Sequence, residues 1–149
     1  MRPGTENVAG IVALGKACEL ALAGLDAESR RLTALRAKLE AGLLKTIESV
    51  RVNSAGGARL PHTSCLSFLN TEADSLLLNL DLLGIAASSG SACSSGTLKA
   101  SAVLLAMGVD PAYARGTVRF SLGRETVEAD IDYVLEVMPG IVARLRKQL

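Results

Sequence analysis

The chain has no tryptophan, and its aromatic residues, two Tyr and two Phe, make up 3% of 149. A surface that stacks nucleic-acid bases needs more aromatic area than that. Neither charge sign is in excess: 16 basic residues face 15 acidic ones, for a net charge of +1, and both signs are spread along the chain. That leaves no electrostatic case for a nucleic-acid or anionic-membrane partner. Uninterrupted apolar runs fall far short of the roughly 20 residues needed to cross a bilayer. The opening "MRPGTENVAG" lacks the apolar centre of a signal peptide. There is one histidine, His62, and the three cysteines (Cys18, Cys65, Cys93) are widely spaced with no CxxC pair. Neither a zinc site nor a disulfide framework is expected from that set, and a reducing, cytoplasmic setting is the simplest expectation.

What is present is a hydrophobic share of 49%, enough for one domain with its own core. Val8, Ile11, Val12, Gly15, Cys18, Leu22 and Leu25 recur at helical spacing, as do Leu32, Leu35, Leu39, Leu43, Ile47 and Val50. They predict two amphipathic helices, or one long bent helix, broken near Gly24–Asp26. Arg30, Arg31, Arg36, Lys38 and Glu40 fall mostly off that stripe and are expected on a solvated face. "VRVNS", "TSCLSFLN", "IAAS" and "TVRFSLG" predict about four short strands. "EADSLLLNLDLLG" and "SAVLLAMG" predict helices closed by Gly, and "VDPAYA" a short turn. A last helix should start at a Thr126 cap and run past Leu145, kinked at Pro139–Gly140. The fold class that follows is α/β (α+β): a short, mostly antiparallel sheet covered by helices.

Three places could carry chemistry. Residues 88–96, "SSGSACSSG", are all Ser, Gly or Ala except Cys93. So many small residues bury little surface, which predicts a mobile loop with an exposed thiol near its centre. Cys18, on a helix stripe, and Cys65, inside a strand, are expected to be protected by burial. A thiol reacts as thiolate. With His62 the sole imidazole and Lys99 six residues away, the neighbours in sequence leave both an inert and a reactive Cys93 open. Arg119 and Arg124 lie in "RFSLGR". A guanidinium on a strand can clamp a carboxylate with two hydrogen bonds, although Arg124, beside Glu125, reads better as a surface ion pair. Thr5 precedes the first helix, where a cap or a phosphate contact can form.

Taken together, "RPGTENVAGIVALGKA" (2–17), "SSGSACSSGTLKAS" (88–101), "VLLAMG" (103–108) and "RFSLGRETVEADID" (119–132) resemble the cysteine desulfurases of the NifS/IscS type. These are enzymes dependent on pyridoxal phosphate (PLP), with the fold-type I architecture of aspartate aminotransferase. The resemblance covers essentially the whole chain. It implies a reaction in which L-cysteine forms an imine with PLP, an enzyme thiolate takes the sulfur as a persulfide, alanine leaves, and the sulfur passes to an acceptor such as an iron–sulfur scaffold protein. Cys93 matches the nucleophile and Arg119 the residue that holds the substrate carboxylate. Thr5 matches a phosphate-binding Thr that serves the partner subunit of a homodimer. The family's Schiff-base Lys, in a Ser/His-Lys segment, has no match here, and Lys99 does not occupy its position. Ala102 stands where a larger His or Tyr is expected. The implication is that residues 1–149 correspond to the C-terminal small domain, without the large PLP-binding domain. PLP then belongs to the complete enzyme, with none bound covalently to this chain. A non-catalytic fragment or interaction module retaining the fold is the alternative.

Overall fold

The computed structural model describes residues 4–89 and 101–147. The longest element is α1, Val8–Thr46, a single helix of 39 residues. The expected break near Gly24 does not occur. One interior Gly costs about 1 kcal/mol against Ala, and the residues after it (Leu25, Asp26, Ala27, Glu28) sustain a helix whose propagation is cooperative. The cap is also not Thr5. Asn7 takes that place, its side-chain oxygen accepting the Gly10 N–H at 3.0 Å.

Three strands follow among the described residues: β1, Val50–Val52; β2, Thr63–Phe68; and β3, Thr117–Ser121. They form one antiparallel sheet in the order β1-β2-β3, with Leu66 between Val52 and Val118 and Cys65 opposite Arg119. The expected fourth strand, "IAAS", reduces to a single bridge between Ser88 and Arg119. Between the strands lie α2, Ala73–Asp81, then α3, Ala102–Ala106, and α4, Pro111–Arg115; α5, Glu128–Arg146, closes the chain. The "VDPAYA" turn is therefore helical. Asp110 caps it by accepting the Ala112 N–H at 2.7 Å, and Pro111 supplies a first residue with φ preset for a helix. The last helix starts one residue later than expected. Val127 is its N-cap, and Asp130 reaches back to accept the Val127 N–H at 2.8 Å. Thr126 instead accepts the Gly123 N–H at 2.9 Å. The helix runs on through Pro139.

Strand alternation sends Leu66, Phe68, Val118 and Phe120 to one face, where they pack with Leu39, Leu43, Ile131 and Met138 of the two long helices. The opposite face carries Cys65, packed against Leu104, Val109 and Ala114 from the α3–α4 side. That face also holds a buried polar chain. Asn53 donates to Ser67 Oγ at 2.8 Å, Ser67 and Thr117 share a hydrogen bond at 2.6 Å, and Thr117 donates to the Tyr113 carbonyl at 3.2 Å. Two glycines let elements approach closely. A Cβ on Gly42 would overlap Leu135 of α5, and one on Gly116 would overlap Thr71 Oγ1 and the Phe68 carbonyl. Gly116 also accepts the Phe68 N–H at 2.9 Å. Because backbone cannot yield as a side-chain tip can, Gly116→Ala is expected to destabilise the chain by about 1–3 kcal/mol. The shift should appear as a lower urea midpoint at unchanged m-value.

Of the charged residues of α1 expected on a solvated face, Arg30 is exposed, but Arg31, Arg36, Lys38 and Glu40 are engaged by other elements. Arg31 donates to the carbonyls of Thr126, Gly123 and Arg124 at 2.6, 3.1 and 3.0 Å. Lys38 pairs with Glu128 at 2.7 Å and Asp132 at 2.5 Å. Glu40 is buried. Helical spacing shows which side of a helix is polar but not what lies against it. Here the α5 start and the loop before β2 fold onto the charged side.

Candidate functional site

Arg119 sits in the middle of β3, half-buried, with its backbone tied on both sides. Toward β2 it faces Cys65. Toward the outer edge its N–H donates to the Ser88 carbonyl at 2.6 Å, and its carbonyl accepts the Ser88 N–H at 3.1 Å. Ser88 is the first residue of the small-residue stretch, so that stretch departs from the backbone of Arg119. The described residues resume at Ser101, just before α3. Cys93 and Lys99 lie outside the described residues, as does all of the 88–96 stretch expected to be mobile except Ser88 and Ser89, of which Ser88 is held by the bridge to Arg119. The side chain of Arg119 shares a sheet face with Cys65 and Thr117, opposite the Val118 and Phe120 core face. The turn that follows is held by the three Arg31 bonds; Arg124, in that turn, is exposed and contributes its carbonyl.

Thr5 is not brought to this place. It is exposed and precedes α1, whose packing against the sheet and α5 begins at Leu32. From Val8 to Leu32 the helix rises about 36 Å. Thr5 and Arg119 therefore do not share a site within one chain. The cysteines also divide differently from expectation. Cys65 is half-buried, but Cys18 is exposed, because none of the described residues covers the first half of α1.

Two polar clusters escaped the sequence reading. In the first, Glu40 accepts from Arg59 Nη1 and Nη2 at 2.8 and 3.0 Å and from Ser64 Oγ at 2.7 Å. Arg36 Nε stands 4.0 Å away, and the Arg36 guanidinium also donates to the Leu60 carbonyl. Burial alone would raise the Glu40 carboxyl, but the Arg59 and Ser64 hydrogen bonds and the charges of Arg59 and Arg36 outweigh it and leave it below the ordinary glutamate value. This latch fastens the loop leading into β2, and at the far end of that loop the His62 carbonyl accepts the Leu122 N–H at 2.8 Å. The second is the Asn53–Ser67–Thr117 chain, in which Asn53 also approaches Cys65 Sγ at 3.5 Å. Both join residues far apart in sequence, so no local pattern signals them.

The described residues do not by themselves fit covalently held PLP. The described lysines are in other employment or on exposed helix surface: Lys16 pairs with Glu19, Lys38 with Glu128 and Asp132, and Lys45 and Lys147 are exposed. A cleft of about 240 Å³ opens between residues 84–86, β3 and α5, and its one charged lining residue is Asp130. A largely apolar cleft with one carboxylate supplies neither an amine for an imine nor a cation for a phosphate. No group of His, Cys, Asp and Glu suited to a metal ion occurs among the described residues.

The family model of aminotransferase class V matches residues 1–134. A cysteine desulfurase of Gluconacetobacter diazotrophicus is 51% identical over 146 residues, 98% of this chain and 36% of its own length. The cysteine desulfurase NifS of Azotobacter vinelandii is 48% identical over 145 residues, again 36% of its length. The X-ray structure of a NifS-like protein from Rickettsia africae superposes with a TM-score of 0.81 at 32% identity, covering 95% of this chain and 36% of that one. The chain thus spans about a third of the length of the relatives it matches. An antiparallel sheet with Arg119 on its outer strand, a family model covering 134 of 149 residues, and half-identity to desulfurases across nearly the whole chain lead to one assignment: the chain belongs to the class V aminotransferase family, among the relatives of NifS-like cysteine desulfurases.

Proposed function

We propose that residues 1–149 act as the C-terminal small domain of a PLP-dependent cysteine desulfurase, converting L-cysteine to L-alanine with the sulfur left as a persulfide on Cys93. The observation that carries the reading is the backbone ladder between Ser88 and Arg119. It roots the Cys93 segment on the strand that presents Arg119, in a chain half-identical to desulfurases. In this reading Arg119 binds the substrate carboxylate through two charge-assisted hydrogen bonds. Cys93 receives the sulfur and delivers it to an acceptor protein, with small neighbours giving the thiol its reach. Thr5, remote from Arg119 in its own chain, contributes to the phosphate site of a second subunit in a homodimer. PLP, held by a large domain, supplies the electron sink.

The test joins this chain to the N-terminal two-thirds of the Gluconacetobacter diazotrophicus cysteine desulfurase. The chimera is expected to form alanine from cysteine and to carry the extra sulfur on the Cys93 peptide by mass mapping; Cys93→Ser should remove both. A folded chimera that binds PLP but leaves Cys93 unmodified, with sulfur elsewhere or nowhere, refutes the assignment. The isolated chain is expected to give no borohydride-stable pyridoxyl-lysine and no turnover, since none of its described lysines is placed for an imine. A specific pyridoxyl adduct accompanied by turnover would establish the opposite.

A further inference from the structure

A row of residues crosses the polar face of the sheet. Asn53 directly follows β1, Cys65 lies in β2, Arg119 in β3, and Ser88 on the outer edge. Main-chain bonds fix how close the members stand. Cys65 turns its carbonyl toward β1, where it accepts the Asn53 N–H at 2.8 Å, and Arg119 directs its N–H and C=O to Ser88. Cys65 and Arg119 are therefore an antiparallel pair of the kind that shares no hydrogen bond. In such a pair the Cα atoms are about 4.5 Å apart and the side chains come closest. Alternation puts both side chains on the face opposite Leu66, Val118 and Phe120, so the Cys65 thiol stands beside the stem of Arg119.

Cys65 is itself held from two other sides. Asn53, only 2% exposed, donates from Nδ2 to Cys65 Sγ at 3.5 Å and to Ser67 Oγ at 2.8 Å. Leu104, Val109 and Ala114, all buried, pack against Cys65 from the α3–α4 side. Neither side yields without breaking the Asn53 bonds or disturbing closely packed apolar side chains. Along the row the remaining neighbour is Arg119. An arginine stem has many rotamers, and a fixed wall beside it removes some of them before the substrate arrives. That lowers the ordering cost of binding. We propose that Cys65, fixed by Asn53, is a positioning residue for the substrate carboxylate: it sets the direction in which β3 presents the Arg119 guanidinium. The inference rests on the reading of Arg119 given above. The role is one of shape, with no covalent step at this thiol, so the size of the side chain at position 65 decides the outcome.

In the chimera, Cys65→Leu is expected to raise KM for L-cysteine by roughly 10- to 100-fold, the effect of displacing a binding group by about 1 Å. The change should leave kcat nearly unaltered, because the carboxylate contact is uniform along the reaction. Cys65→Ala removes the wall without crowding and should raise KM by about 2- to 12-fold, the effect of leaving one rotamer-rich side chain to be ordered on binding. Cys65→Ser keeps the size and an acceptor for Asn53 and should leave KM unchanged. In the Arg119→Ala background, neither Cys65→Leu nor Cys65→Ala should move KM further, a coupling that a merely structural role does not produce. A KM effect that persists there overturns the positioning role. If Arg119→Ala raises KM but the Leu and Ala substitutions at position 65 do not, the positioning role fails and the reading of Arg119 stands. If Arg119→Ala itself leaves KM unchanged, both fall. The isolated chain gives a second measurement that needs no turnover. The NMR order parameter of the Arg119 Nε–H, assigned by its loss in Arg119→Ala, should fall in Cys65→Ala and hold in Cys65→Ser. Equal order parameters in the natural chain and Cys65→Ala overturn the proposal whether or not the chimera transfers sulfur.

Discussion

In the assembled enzyme, Arg119→Ala is expected to lower kcat/KM for L-cysteine by about 30- to 5000-fold. The figure is the about 2–5 kcal/mol cost of removing one partner of a desolvated, charge-assisted pair, converted at 1.36 kcal/mol per decade. Most of it should appear in KM. The α-carboxylate is not altered in the reaction, so its clamp is felt alike by bound substrate and transition state, and a uniform binding contact acts on KM. Arg119→Lys should recover only part of the loss, because an ammonium cannot reproduce the planar two-point fork. The fold should tolerate both changes. The bonds that root the Cys93 segment use the main-chain N–H and C=O of residue 119, and these survive any side-chain substitution. Unchanged kcat/KM in Arg119→Ala, with the same thermal transition, would show that this guanidinium does not meet the substrate.

What the sequence made legible, and what it hid, follows from the range of the forces involved. Alternation in "TSCLSF" and "TVRFS" placed β2 and β3, because one sheet face meets an apolar core and period-two patterning records that directly. The Gly residues after α2 and α3 marked real chain reversals, with Gly84 at φ +75° and Gly108 at φ +73°. The long helix was misread as broken because Gly24 lies where the stripe changes character. That change reflects a change in what covers the helix: none of the described residues up to about residue 27, the sheet and α5 from Leu32 onward. Cys18 looked buried for the same reason. Periodicity shows that a face is apolar, and whether this chain supplies its cover is a tertiary fact. Arg119 could be singled out by residue type and setting, but its ladder to Ser88 could not, since a single bridge leaves no pattern. The Glu40 latch was the least visible. A lone Glu beside Arg36 and Lys38 reads as surface, and only the return of Arg59 and Ser64, 19 and 24 residues later, buries it.

That latch carries the second large effect, and it is one of stability. Glu40→Gln is expected to destabilise the isolated chain by about 2–3 kcal/mol at pH 7. Both partners are largely buried, with side-chain exposure of 11% for Glu40 and 17% for Arg59. Removing one charge therefore leaves Arg59 desolvated without its carboxylate, and Arg36 loses the same counter-charge. Gln keeps the volume and an acceptor for Ser64, so the loss reports charge and not packing. The pH dependence is the sharper signature. Glu40 is held below its ordinary value in the folded chain, so the folded state binds this proton more weakly than the unfolded state does. Its contribution is present in full above the unfolded value of about 4.5 and is lost as pH falls through the lower folded value. Urea midpoints of the two proteins should lie apart at pH 7, remain so down to about pH 5, and converge below pH 4 as the natural glutamate also becomes neutral. A gap that stays constant into acid would mean that Gln disturbs the packing of α1 against β2, and that the Arg59–Glu40 pair contributes no net charge stabilisation.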